Sequence, residues 1–177
     1  MHIHIEQIPE WHLTASDDAK IAVLLARSFT TDFGGRSFFC HHHHLRLIIR
    51  DADRIIGHMA LVLRSVDLGA RRVTIAGLAE VATDPDHRGQ GIAAALLQQA
   101  IAQARVSPAS YLLLFGVARL YGAAGFQTVS NPLARIVMKG TRAGRVTSGG
   151  DDDLMVLALR SDPWPATDLL DLRGPVF

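Results

Sequence analysis

Residues 82–100 read ATDPDHRGQGIAAALLQQA, with Gly89 and Gly91 one residue apart behind Arg88 and a stretch rich in alanine and leucine beyond them. Glycine is among the poorest helix residues and alanine the best, so their abutment marks a helix N-terminus with a first turn kept bare. At such an end the first four backbone N–H groups have no intrahelical partner, and the macrodipole adds about half a positive charge. Arg88 brings a guanidinium to the same mouth, which makes the turn a phosphate site. An apolar run at 71–84 precedes it, a helical pattern covers 90–105 and "YLLLFG" follows at 111–116. That order is a strand–helix–strand crossover with the glycine turn at its first junction.

"GQGIAA" also satisfies the dinucleotide pattern G-x-G-x-x-A. That fold wants the motif early, further βαβ units and an acid closing the next strand, whereas "YLLLFG" ends without one and little chain follows.

Outward from the turn, "SDDAKIAVLLARSF" opens with an N-cap serine, Ser16, and two early acids. It then repeats Ile21, Leu24, Leu25 and Phe29 at helical spacing. "SFFCHHHH" reads as a short second helix or a loop. "LRLIIR", "RIIGHMALVLRSV" and "RRVTIAGLAEVATD" read as strands of an antiparallel meander joined by "DAD" and "DLGA". After the crossover, "VARLYGAAGF" predicts a short helix closed by Gly125, and "DLMVLALR" a late strand. The expectation is a single α/β (α+β) domain over 1–177, a mixed sheet of about six to seven strands flanked by helices.

The 177 residues are 49% hydrophobic and 20% charged, enough for one domain that buries roughly two-thirds of its unfolded surface. A net charge of +1, with Lys139, Arg142 and Arg145 as a loop-like, solvated cluster, offers no concentrated basic face for nucleic acid. Cys40 is the only cysteine, the start lacks a leader pattern, and no run reaches the ~18 apolar residues of a membrane span. A cytoplasmic protein without membrane partner is expected, and nothing opposes a homodimer.

"EVATDPDHRGQGIAAALL" resembles the acyl-coenzyme A motif of GNAT N-acetyltransferases, with R-x-x-G-x-A at Arg88, Gly91 and Ala93. "LYGAAGF" resembles the second signature of that superfamily, a tyrosine five residues before the Phe of a "GF" pair. The two stand in the right order behind a strand meander, and the resemblance covers roughly 16–138. "FTTDF", "HRGQG", "RLYGAAGF" and the closing "DLRGPVF" also resemble aminoglycoside 2'-N-acetyltransferases and, more distantly, the nodulation acyltransferases. The segment before the tyrosine is shorter here.

The resemblance implies acetyl-coenzyme A as co-substrate and no metal. Val81 and Thr83 would pair with the pantetheine arm through their backbone, and Arg88, Gly89, Gln90, Gly91, Ile92 and Ala93 would hold the pyrophosphate. Physics agrees, because a strand edge offers unpaired N–H and C=O groups. An alkylammonium has a pKa near 10, so a proton acceptor is required, and Glu80 is the candidate, directly or through water. A one-residue change of register would instead turn it to solvent. Tyr121 stands where the family keeps the acid that protonates the departing thiolate; a packing tyrosine bonded to backbone is the alternative.

The run from Cys40 to His44 invites a metal, yet four consecutive histidines point in different directions, and a polar segment near the acceptor pocket is expected instead. His58 reads as a second base or as a satisfied core histidine. The function expected is N-acetyl transfer to the primary amine of a small cationic molecule. Asp32, Asp168, Asp171 and the carboxylate of Phe177 would line its pocket. A non-catalytic acyl-coenzyme A binding module, and transfer to a peptide or protein amine, are the alternatives.

Overall fold

A computed structural model describes residues 4–116, 119–139 and 142–177. They form β1 (Glu6–Pro9), α1 (Ala15–Ser28), β2 (Leu45–Asp51), β3 (Arg54–Leu68), β4 (Arg71–Thr83), α2 (Ile92–Val106) and β5 (Tyr111–Phe115). After these come α3 (Arg119–Ala123), β6 (Gln127–Thr128), β7 (Leu133–Lys139), β8 (Arg142–Gly149), β9 (Leu154–Ala158) and β10 (Leu170–Asp171). Single 3-10 turns lie at Glu10–His12 and Pro85–His87. The α+β class expected from the sequence is what forms, with a mixed sheet. Its ten strands exceed the six to seven expected, because β6 and β10 have two residues each and β8 is almost wholly exposed. Such strands leave no apolar alternation to read.

The chain groups into two compact units, Met1–Val62 with Leu78–Ile101, and Leu63–Gly77 with Ala102–Phe177. In the first, β1 pairs antiparallel with β2 and β2 with β3, from Leu45↔Leu61 to Asp51↔Arg54. Helix α1 buries Ile21, Leu24 and Leu25 against Ile48, Ile55 and Ala82. Each such side chain contributes about 1.5–3 kcal/mol. The N-cap of α1 is Thr14, not Ser16; its side chain accepts the Asp17 N–H at 3.1 Å. Residues 37–44 form no helix. Gly57 on β3 lets α2 lie close, since a Cβ there would stand 2.5 Å from Ile92.

In the second unit β4 pairs parallel with β5 over Ile75–Gly77, as the crossover requires, and β5 pairs antiparallel with β9. Strand β10 runs antiparallel to β3 and parallel to β7, which forms a hairpin with β8. Lys139, Arg142 and Arg145 sit on that hairpin rather than on a loop, because β7 supplies Leu133 and Ala134 as its buried anchor. The core is hydrocarbon: Val66, Leu68, Ile75, Leu113, Leu133, Leu154, Val156, Leu170 and Leu172, with Tyr111 as its polar tip. Of the helix expected at 117–126, residues 117 and 118 lie outside the described ones.

Candidate functional site

Helix α2 begins at Ile92, two residues beyond the expected start, because Gly89 and Gly91 hold φ of +75° and +79°, a left-handed backbone that glycine adopts freely. Arg88, Gly89, Gln90 and Gly91 are exposed, Ala93 is half-buried and Ile92 is buried. A Cβ at either glycine would meet nothing within 4 Å, so the turn opens onto free space. Beneath it Asp84 is buried. Its carboxylate accepts from Arg27 Nε at 3.1 Å, Arg54 Nη2 at 3.0 Å and the Asp86 N–H at 3.0 Å. Burial opposes the charge on Asp84, but Arg27, the Asp86 N–H and His87 hold the carboxyl below its usual range. Asp84 thus ties the turn to α1 and β3. The signal in the sequence is the acid directly before Pro85, a capping pattern.

The ladder of β4 with β5 covers Ile75–Gly77 only, so Val81 and Thr83 lie outside it, both half-buried. The Thr83 carbonyl accepts a bond from Ser28 Oγ at 3.3 Å. Between them and the ladder, Glu80 adopts φ +47°, a strained value for a residue with a side chain. Its carbonyl accepts from His58 Nδ1 at 2.8 Å, which secures the kink.

The kink turns the Glu80 side chain inward, not to solvent. Its Oε1 accepts the Phe39 N–H at 2.8 Å. Its Oε2 lies 2.7 Å from His43 Nε2, with side-chain exposures of 7% and 1%. That separation suits a charged pair, although the angle is off the hydrogen-bond line and Nδ1 of His43 has no hydrogen-bond partner among the described residues. Burial lowers the His43 pKa, and Glu80 pulls it back up.

Arg46, wholly buried on β2, gives Nε and Nη2 to the two oxygens of Glu10 at 2.7 and 3.0 Å, and Nη1 to the Ser37 carbonyl at 2.8 Å. Burial opposes ionisation of Glu10, yet Arg46 and His42 bring its pKa down to about 2. Arg46 Nη1 also faces His58 Nε2 at 3.2 Å. His58 therefore carries its proton on Nδ1, toward Glu80, and offers its lone pair to Arg46. Burial first, then the Arg46 charge, lowers its pKa to about 3. His58 is the satisfied core histidine, not a base. The signal for this network was an arginine inside the apolar run "LRLIIR", where a buried cation demands a counter-charge.

The other histidines separate, as adjacent residues must. His42 pairs with Glu10 at 2.7 Å and stacks on Phe38, while His43 turns to Glu80. Among the described residues, no group of three or more His, Cys, Asp or Glu is arranged to hold a metal ion. A cleft of about 340 Å³ is lined by Glu10, Trp11, His42, His43 and His44, with Trp11 96% exposed.

In the second unit, Tyr121 on α3 is buried beside Phe126, ring centroids 5.9 Å apart. Burial raises its pKa, so the phenol keeps its proton. Among the described residues its hydroxyl makes no hydrogen bond, whereas that of Tyr111 donates to the Pro163 carbonyl at 3.1 Å. Asp32, in the first unit, accepts the Gly34 N–H at 2.6 Å. In the second, Asp168 lies against Gly69, and Asp171 accepts the Arg173 N–H at 2.8 Å. Phe177 packs its ring on Gly77, beside Phe115 and under Arg64. These three tail residues have separate neighbours.

The sequence matches the family described as Acetyltransferase (GNAT) domain over residues 12–129. No curated relative matches the chain. Among solved structures it resembles a GNAT family N-acetyltransferase (YhbS) from Escherichia coli in complex with CoA, at 22% identity and TM-score 0.67, covering 96% of this chain and 89% of that one. A GNAT family acetyltransferase from Brucella melitensis in complex with acetyl-CoA matches at 19% and 0.60, covering 96% of each. The ribosomal-protein-S18-alanine N-acetyltransferase of Escherichia coli matches at 18% and 0.58, over 92% and 98%. At these identities the likeness is one of fold.

Proposed function

The chain belongs to the acetyltransferase (GNAT) family, and from that premise we propose that it moves an acetyl group from acetyl-coenzyme A directly to a primary amine of a small cationic molecule. The observation that carries the reading is the exposed turn with two left-handed glycines and open space above it, at the start of α2. The backbone N–H groups of Gly89 to Ala93 and the Arg88 guanidinium suit a pyrophosphate there. Val81 and Thr83, off the β5 ladder, offer backbone groups to an extended arm. Acetyl-coenzyme A, when bound, supplies an acetyl thioester.

The protein's own part is proton management. Glu80 belongs to the system that receives the amine proton. Tyr121, protonated and with no hydroxyl hydrogen bond among the described residues, is the donor to the departing sulfur. Asp32, Asp168, Asp171 and the Phe177 carboxylate are proposed to attract the cationic acceptor, each from its own segment. Aminoglycosides and polyamines are the candidates to assay, with peptide amines as the competing class. Localisation in the cytoplasm belongs to the same proposal.

The test is calorimetry with acetyl-coenzyme A. Gly91→Val, which forces a β-branched residue into φ +79°, should abolish binding while the melt of the protein stays cooperative. Unchanged affinity in a folded variant contradicts the placement.

A further inference from the structure

The histidine run, which the sequence left without a role, contributes one residue to the same chemistry. His43 stands between two features of the first unit. One is the Glu80 carboxylate, 2.7 Å from Nε2; the other is the cleft of about 340 Å³ in whose wall His43 lies. Within the buried polar group the other unsatisfied atom among the described residues is Glu80 Oε2, which faces His43 Nε2 without a hydrogen bond. Arg46 is held by Glu10, Ser37 and His58, and both nitrogens of His58 are engaged. Nδ1 of His43 has no partner among the described residues, and the residue is 5% exposed. A buried polar atom without a partner calls for an explanation, and a catalytic role is one.

We infer that His43 is the proton acceptor for the incoming amine, taking the proton at Nδ1 while Glu80 holds Nε2 and neutralises the imidazolium that forms. The chemistry follows from the pairing. A carboxylate beside Nε2 is an acceptor only, so the neutral ring carries its hydrogen there and its lone pair at Nδ1. The Phe39 N–H fixes the other carboxylate oxygen and with it the ring's orientation. The ring faces Glu80 from β4, with Arg46 of β2, Glu10 of the 3-10 turn and His58 of β3 acting on it electrostatically. Burial keeps it neutral at rest, as a base must be.

The inference rests on the acetyl-transfer reading, and its balance is complete. An ammonium in the cleft gives one proton to the buried Nδ1 across a bridging water. The neutral nitrogen then bonds to the acetyl carbon as the carbon–sulfur bond breaks. The thiolate takes up one proton and the nitrogen gives up its second, so these two steps cancel. His43 afterwards releases its proton to water, so one proton is lost per turnover.

Two measurements test it. The first is the ¹⁵N spectrum of histidine-labelled protein, with His43 assigned by its loss in His43→Gln. At pH 7.5 the ring should be neutral, Nε2 protonated and Nδ1 bare; a proton on Nδ1 overturns the inference whatever the activity. The second is thiol release from acetyl-coenzyme A with ethylamine, 2-methoxyethylamine and 2,2,2-trifluoroethylamine, which fall in basicity at similar size, and with spermidine. His43→Gln should lower kcat/KM about 10²-fold for ethylamine and only a few-fold for trifluoroethylamine, which arrives already neutral. An equal loss across the series, as a merely structural role would give, or no loss, overturns it. A wild-type protein that acetylates none of the four overturns the small-amine reading on which the inference rests, and the inference with it.

Discussion

Arg46 in the first unit and Leu113 in the second are both completely buried on strands, yet their surroundings have nothing in common. Arg46 is the hub of Glu10, Ser37 and His58, with Glu80 one bond further on and His43 paired to Glu80 beyond it. Leu113 sits among Val66, Leu68, Ile75, Leu154 and Val156, where hydrocarbon meets hydrocarbon. Burying charge opposes folding unless each group is paired, whereas burying apolar surface drives it. The hydrocarbon core of the second unit therefore favours folding directly. The first unit accepts a kinked, positive-φ Glu80 and an imidazole nitrogen with no hydrogen-bond partner among the described residues, and such features cluster where proteins do chemistry.

The largest effect that would sharpen this contrast is on stability. Arg46→Met should cost about 3–5 kcal/mol, because Glu10 is left without its guanidinium. Leu113→Ala should cost a similar 2–5 kcal/mol through a cavity. The difference lies in rescue: adding Glu10→Gln to Arg46→Met should recover part of the loss in urea melts, and no polar change should rescue Leu113→Ala. Absence of recovery would mean that the network is not the unit it looks to be.

If Tyr121 is the donor proposed above, Tyr121→Phe should lower turnover roughly 10²-fold with acetyl-coenzyme A affinity unchanged. Steady-state kinetics and calorimetry check it, and activity within a few-fold of wild type would assign the donor elsewhere.

Next in size is the pH response of the first unit. His58 has a folded pKa of about 3 against an ordinary 6.5, so the unfolded chain binds the proton first as pH falls. Its contribution is whole above about pH 6.5 and is lost between there and about 3, at up to about 1.4 kcal/mol per pH unit. Glu10, folded at about 2 against 4.5, acts in the same direction below about pH 4.5. Urea melts at pH 7.5 and 5.5 should show this slope, and His58→Gln should flatten it. A slope that survives the substitution assigns the titration to other groups.

The smallest effect is Tyr111→Phe, which should cost about 1 kcal/mol for the bond to the Pro163 carbonyl and leave kcat unaltered. A fall in kcat there would erase the distinction between the two tyrosines.

Much of this was legible in the chain because it rests on local signals. The glycine turn, the α2 run of alanine and leucine, and the β2–β4 meander follow from propensity and period. Strand β8 was not legible, since its exposed, small and polar residues carry no alternation. The pairing of His43 with Glu80 spans the whole meander, and no spacing rule connects such distant positions. The inward turn of Glu80 depends on one residue's φ. That is why its side-chain direction stayed open until the backbone was known.

Glu80 is the most direct target, since Glu80→Gln keeps the shape, removes the charge and replaces one acceptor oxygen with an N–H donor. Thiol release from acetyl-coenzyme A, measured with a panel of primary amines for wild type and Glu80→Gln, tests it. The expected result is amine-dependent release by the wild type and a loss of roughly 10² or more in kcat/KM in the variant, with acetyl-coenzyme A still bound. A folded Glu80→Gln enzyme that works at the wild-type rate would contradict the claim that the buried charges of the first unit run the proton chemistry.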